Sequence, residues 1–500
     1  MKFSKLVGLS SALAVSAMSL VAQEVNPAAL SKQLEELLRV QKQQAEQIES
    51  LKKQIEVLKG QPAIPGARVA TPDLKIEELE RRVSELTNDR ITKPWRPGDP
   101  IGLVRAGQSY LNMSLNGLFA MGGSTARDLG ALQPGGHDPN QRGFSVQNVE
   151  ATFEGMVDTY FRSQANLIYG LNAAGESTFE LEEAYLESLS LPGNLQLKAG
   201  QFFTEFGRLN PQHPHAWSFV DQPLINNRMF GGDGLRNPGA RLSWLLPTPF
   251  YSELSLTMQN GQGETAQSFR SDHGGEVFLG RPHTARNASA LRDFIFTPRW
   301  QASWELTDAQ TLLVGASAAF GANGTGSDAE TQIYGADLTW KWKPVNHTKG
   351  FPFVTWQTEA MLRKYQAGAF NNTADAGING VIDPGETDVF GDATLRTVPR
   401  ETLTDYGFYT QLTYGFRPGW VAGARWDYVT SDRAQYENLF GIDAGRDTRW
   451  RLSPNLTWFP SEFSKIRLQY NHDQRRHIGV DHSLWLQFEF LLGAHAAHKF

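Results

Sequence analysis

The chain has 500 residues, of which 40% are hydrophobic and 20% charged, with a formal charge of −6 and no cysteine. The lack of cysteine excludes a disulfide framework, an iron–sulfur cluster and a thiolate zinc site, and the acidic balance argues against a nucleic-acid partner. No run of 18 apolar residues follows the first two dozen positions, which excludes membrane-spanning helices.

Lys2 and Lys5 precede an apolar run from Leu6 to Val21, and small residues follow at Ala22, so residues 1–22 read as a secretory signal peptide. The positions Leu30, Leu34, Leu37, Gln41, Gln44, Ile48, Leu51, Ile55 and Leu58 then step by four and three, which predicts a coiled coil over 23–60. Gln41 and Gln44 place polar side chains in its seam, a pattern that sets register and implies self-association. Residues 61–72 form a Pro/Gly-rich linker. A second short coiled-coil helix, 73–90, repeats the stripe through Ile76, Leu79, Val83 and Leu86, with Asp73 as its N-cap. A further linker occupies 91–107.

From 108 to 500 the period changes to two. Leu254, Leu256 and Met258 alternate with Glu253, Ser255, Thr257 and Gln259, and sixteen such segments follow one another. Their connections alternate between short turns, such as 191–194, 247–249 and 417–419, and long loops, such as 204–237, 261–290, 367–401 and 432–446. That asymmetry, an even strand number and abundant aromatics (29 Phe, 13 Tyr, 13 Trp) predict an all-β, 16-stranded antiparallel transmembrane β-barrel. Trp340, Trp342, Trp420, Trp458 and Phe459 sit beside short turns, where an interfacial girdle belongs.

The polar face of each strand is expected to line the lumen. Its basic residues are Arg162, Lys198, Arg241, Arg299, Arg425, Arg449, Arg451, Lys465 and Arg467; its acidic ones are Glu150, Glu154, Glu180, Glu253, Glu305, Asp337, Glu359 and Asp427. The basic residues are densest on the thirteenth to fifteenth strands and the acidic ones on the second and fourth. Such opposed walls would set a transverse field across a water-filled pore. The loop 204–238 is too aromatic for a solvated connection, and folding inward to narrow the pore would bury it. Its His213 and His215 form an HPH pair with metal-ligand character but no third ligand in view. His137, His213, His215, His273, His283, His477 and His482 are all assigned to long loops.

Loop 367–401 carries DAGINGVIDPGE, which aligns with a calcium loop through Asp375, Asn379, Val381 by its carbonyl, Asp383 and Glu386. Gly380 supplies the sharp turn, but Gly377 stands where another oxygen ligand is expected. No cofactor is required, and calcium is a candidate ion for this loop. No nucleophile elbow, zinc-protease motif or phosphate-cradling loop occurs, so the chain does not read as an enzyme.

The order of signal, coiled coil, linker and barrel resembles the coiled-coil-bearing outer-membrane porins, such as the phosphate-selective porin O/P group. Residues 181–224 and the ending FLLGAHAAHKF (490–500) also resemble barrels labelled zinc-regulated outer-membrane receptors. The C-terminal Phe500 resembles the signal by which such barrels reach the barrel-assembly machinery. The resemblance implies a homotrimer in outer-membrane lipid, with a periplasmic coiled coil able to contact peptidoglycan. The expected function is diffusion of small hydrophilic or ionic solutes. The alternatives are a non-conducting structural or adhesive barrel linking outer membrane to cell wall, and a gated channel for a metal or its chelate.

Overall fold

Along Arg449–Ser461 the side chains Leu452, Leu456 and Trp458 are exposed, while the intervening Arg451, Ser453, Asn455 and Thr457 are buried. This inverts the arrangement of a water-soluble protein, in which apolar side chains go inside. It is what a closed sheet with lipid outside and polar contacts inside requires.

The computed structural model describes residues 97–493, apart from 107–108, 173–174, 190, 270–276, 284–287 and 372–396, together with 49–50 and 53–54. The signal peptide, nearly all of both coiled-coil helices, the calcium-like residues Asp375 to Glu386 and Phe500 lie outside the described residues.

Sixteen antiparallel strands close into a ring. They are β1 (Ser109–Ser124), β2 (Gly143–Met156), β3 (Phe161–Leu171), β4 (Ser177–Ser188), β5 (Leu195–Phe203), β6 (Arg236–Leu245), β7 (Tyr251–Asn260) and β8 (Phe294–Thr307). The ring continues through β9 (Gln310–Ala322), β10 (Glu330–Trp342), β11 (Phe353–Ala367), β12 (Glu401–Arg417), β13 (Trp420–Ser431), β14 (Arg449–Ser461), β15 (Ser464–Arg475) and β16 (Gly479–Leu492). Each strand pairs with its sequence neighbours, and β1 with β16 completes the closure from Leu115↔Leu492 to Ser124↔Ser483. Beyond the end of β16, an edge strand Ile101–Ala106 pairs with the start of β1, and Gly493 N–H donates to the Pro97 carbonyl at 2.7 Å.

The two rims differ as the alternation of the connections requires. At one rim the turns are tight, as at Pro418–Gly419, where Gly419 takes φ +78° and an added Cβ would meet the Phe459 carbonyl at 2.9 Å. Trp420 and Trp458 stack near this turn with ring centroids 5.9 Å apart, at the level of an interfacial girdle. The other rim bears the long connections. One correction concerns the histidines: the connection between β15 and β16 is a three-residue turn, so His477 sits in that turn and His482 lies on β16 itself. Period-two alternation locates strand middles, whereas the last residues of a strand and a short polar turn look alike in sequence.

Two strands break their alternation. In β4, Glu183 pairs with Asn166 and Leu181 with Leu167, so Glu182 is an extra residue. In β2, Asn148 pairs with Leu118 and Val146 with Phe119, so Gln147 is extra. A β-bulge of this kind re-aims the side chains around it. Phe179 and Leu181 point outward before the β4 bulge and Leu186 points outward after it, so the adjacent Glu182 and Glu183 both turn into the lumen, where they are buried.

Candidate functional site

The connection from β5 to β6, residues 204–235, does not extend outward. Most of it is buried and none of it is fully exposed, because it crosses the lumen and packs against walls on several sides. Its amphipathic sequence accounts for this placement. Its apolar side chains meet an apolar patch on the inner wall, and its carbonyls meet the basic residues.

The apolar contact is a core inside the barrel. Phe206, Leu224, Ile225, Met229 and Phe230 of the loop join Phe269, Ile295, Ala319, Ile333, Met361, Tyr409 and Val429. Leu224–Phe230 form a short helix, α1, that presents most of these loop residues. The wall makes room with Gly335, where an added Cβ would lie 2.5 Å from the Phe206 ring. Gly335→Val is therefore expected to push Phe206 off β10 and weaken the loop's seat by about 1–3 kcal/mol, the usual scale of overpacking. The readout is the thermal midpoint of the purified barrel; a parent-like midpoint would show that Phe206 is not held there.

The polar contact is made by β13, β14 and β15. Arg425 donates to the Asp221 carbonyl (2.8 Å) and carboxylate (2.6 Å), and Arg451 donates to the Gln222 carbonyl (2.7 Å). Asn455, Lys465 and Arg467 donate to the carbonyls of Ser218 (2.9 Å), His215 (2.9 Å) and Trp217 (2.8 Å). The basic wall thus acts as a rack of donors for backbone 215–222. Asp221 is its centre, since Gln469 and Asn471 also donate to its carboxylate at 2.8 Å each.

The acidic contact is made by the two bulged strands. His213 Nδ1 lies 2.7 Å from Glu182 and 3.5 Å from Glu150, while its Nε2 lies 2.9 Å from Glu183. His215 Nδ1 is 3.1 Å from Glu150, and His137, from the first long loop, is 3.5 Å from Glu182. Burial alone would lower the pKa of His137, but Glu182 more than compensates and holds it at about 9. His213 is likewise raised well above the ordinary imidazole value, its burial outweighed by Glu150 and Glu182. This end of the loop therefore favours positive charge.

The expected lumen residues distribute as follows. Lys198, Arg241, Arg299, Arg425, Arg449, Arg451, Lys465, Arg467, Glu150, Asp337, Glu359 and Asp427 are buried inside the ring, and Arg162, Glu154, Glu180 and Glu253 are partly buried. Glu305 is exposed at the turn rim, away from the constriction. Many of these charges pair with one another: Arg299 with Asp337 at 2.7 Å, Arg449 with Asp473, Arg162 and Arg241 with Glu187, and Arg236 with Glu180.

The picture of opposed walls facing open water needs correction. From β14 to β3, through β15, β16, β1 and β2, is five steps around a ring in which opposite strands are eight apart. The loop moreover stands against both walls. Neither Glu182 nor Glu183 is among the expected lumen residues; alternation from Glu180 places Glu182 inside, and only the bulge turns Glu183 inward too. Their signal was legible as a phase slip, with apolar positions at Phe179 and Leu181 followed by Ala184 and Leu186.

Two cavities flank the loop. One, of about 1270 Å³, opens toward the short turns and is lined by Arg208, Lys341, Lys349, Lys465 and Arg467 against Glu462 and Glu489. The other, of about 420 Å³, lies toward the long loops and is lined by Arg228, Arg363, Arg446 and Arg449 against Asp443. They share no lining residue.

No protein-family model matches the chain. It is 28% identical over 390 residues to an uncharacterized protein of Aquifex aeolicus (strain VF5), spanning 73% of each chain. Among solved structures it is similar to the outer membrane channel DcaP of Acinetobacter baumannii, with a TM-score of 0.49 and 14% identity over 78% of this chain and 99% of that one. It is also similar to an anion-selective porin from Comamonas acidovorans, with a TM-score of 0.42 and 7% identity over 77% of this chain and all (100%) of that one. Salmonella typhi OmpF in complex with daunomycin gives a TM-score of 0.42 and 12% identity, covering 78% of this chain and 99% of that one.

Proposed function

We propose that this chain is a porin-type outer-membrane channel that passes small hydrophilic or ionic solutes and prefers anions. The observation that carries the proposal is a closed sixteen-stranded ring, apolar outside and polar inside, with a loop folded into its lumen between two basic cavities. Rings of this strand number are wide enough to hold an aqueous passage, and only a closed sheet satisfies its backbone in lipid. The loop sets the passage's width and the cavity linings set its charge.

The anion preference follows from the linings rather than from the chain's net charge of −6. The larger cavity has five basic residues against two acidic ones. The smaller has four against three once Asp405, paired with Arg363 and Arg446, and Asp473, paired with Arg449, are counted. The excess that concentrates anions therefore lies mainly on the short-turn side. Trimeric assembly and a periplasmic stalk remain part of the proposal, with the heptads of 23–60 and 73–90 as their support.

The test is conductance of the purified protein in a planar lipid bilayer under a salt gradient. Discrete current steps, with a reversal potential of the sign set by chloride, are the expected result. A cation-sign potential would refute the anion preference. Silence at all voltages would favour the non-conducting structural barrel, which the separation of the two cavities supports.

A further inference from the structure

We propose that Glu150, Glu182 and His213 form a binding site for one divalent transition-metal ion, which fastens the crossing loop to β2 and β4. One donor atom from each of Glu150, Glu182 and His213 falls within a common span of 4.8 Å, and all three residues are buried. A tetrahedral ion with ligands at roughly 2.0–2.2 Å has ligand–ligand edges of about 3.4 Å. The observed separations bracket that edge: 2.7 Å and 3.5 Å from His213 Nδ1 to Glu182 and Glu150. Glu150 turns one carboxylate oxygen toward His213 and the other toward His215, which orients the carboxylate, and the three donors leave a fourth position for solvent.

Hydrogen bonding separates this site from an ordinary ion-pair network. Glu182 is fully buried, and neither of its oxygens nor His213 Nδ1 has a well-directed hydrogen bond, although His213 Nδ1 approaches Glu182 to 2.7 Å and His137 approaches it to 3.5 Å. Buried carboxylates are normally satisfied by donors, and unsatisfied ones are costly. A cation coordinated between them removes that cost.

The outer partners are those a ligating histidine needs. His213 Nε2 is held by Glu183 at 2.9 Å, which fixes the ring and leaves Nδ1 toward Glu150 and Glu182. Thr152 donates to Glu150 at 3.0 Å, and Asn166 donates to the same oxygen. One imidazole with two carboxylates suits zinc, cobalt or nickel, whereas calcium and magnesium prefer oxygen-only sites. The ligands come from the two bulged strands, β2 and β4, which flank β3, and from the loop, so one ion would join three elements.

The inference stands on this geometry and does not depend on conduction, so it is tested by binding. The full-length protein, purified in detergent and stripped with a chelator, is titrated with Co²⁺ while its d–d absorption is followed, and with Zn²⁺ by calorimetry. One equivalent of each is expected, with intense cobalt bands of low coordination number that Zn²⁺ displaces and Mg²⁺ or Ca²⁺ does not. His213→Ala and the isosteric Glu182→Gln should each weaken binding at least about tenfold, and Glu183→Gln, one step removed, by about tenfold. Folding of every variant is checked by heat-modified electrophoretic migration, and Glu182→Gln keeps the volume of the side chain it replaces. Absence of binding at one equivalent, or parent-like affinity in folded Glu182→Gln, would overturn the site. A silent bilayer would refute the channel and leave these titrations untouched.

Discussion

Replacing residues 208–232 with a brief Gly/Ser linker is expected to raise single-channel conductance several-fold. The segment includes α1, the HPH pair and Asp221, and it separates the two cavities. With it gone, Arg425, Arg451, Lys465 and Arg467 face water instead of loop carbonyls, and hydration replaces the lost hydrogen bonds. The barrel itself should survive, because its closure rests on the strand ladder and on the outward apolar face. The anion preference should fall as the cavities merge and the field is no longer confined near the walls. Conductance equal to that of the parent would mean that solutes do not pass where the loop crosses, and would sink the constriction idea.

The second large effect is expected from one side chain. Asp221→Ala removes the acceptor shared by Arg425, Arg451, Gln469 and Asn471. Breaking a buried pair by deleting one partner costs about 3–5 kcal/mol. Here the lower figure applies, since Arg425 retains Asp427 at 2.8 Å. The expected phenotype is a detached, fluctuating loop, seen as excess open-channel noise and as protease sensitivity between Trp217 and Phe230.

The pH dependence of this seat has a definite sign. Burial would raise the Asp221 pKa, but Arg451 and Arg425 outweigh it and hold the group at about 2. A carboxyl depressed on seating stabilises the seated loop above the ordinary carboxylate value of about 4, and that stabilisation is lost as pH falls toward 2. The parent should therefore keep a quiet channel from pH 8 to pH 5 and become noisy only below about pH 4. Asp221→Asn should be noisy throughout. A parent that loosens near neutrality would show that some other group controls the loop.

Much of this architecture was legible because a lipid-facing wall enforces a strict rule. Leu452, Leu456 and Trp458 must all face out, so alternation marks β14 plainly, and the same rule finds the other fifteen strands. The inward fold of 204–235 was also readable, since Phe206, Trp217, Phe219 and Phe230 could not remain in solvent at that length. Three things were not. The partners of the loop were hidden, because Asp221 sits hundreds of residues from Asn471 and nothing local links them. The arrangement of the charged walls depended on ring closure, which puts β16 beside β1 and brings β14 nearer to β3 than chain order implies. The second carboxylate at the constriction was masked, because the alternation rule was applied straight through Glu182 and Glu183.

That last feature bears on how such a constriction could arise. Removing Glu182 would restore regular alternation in β4 and return one carboxylate from this pair to the lumen at that level. The reverse step, insertion of a single codon, would add a second acid without shifting the strand pairing on either side, because the slip is absorbed where it occurs. Gln147 is the corresponding extra residue in β2. Lineages of this barrel would then change the chemistry of their narrowest point through rare insertions and deletions in strands, while ordinary substitutions tune the rims.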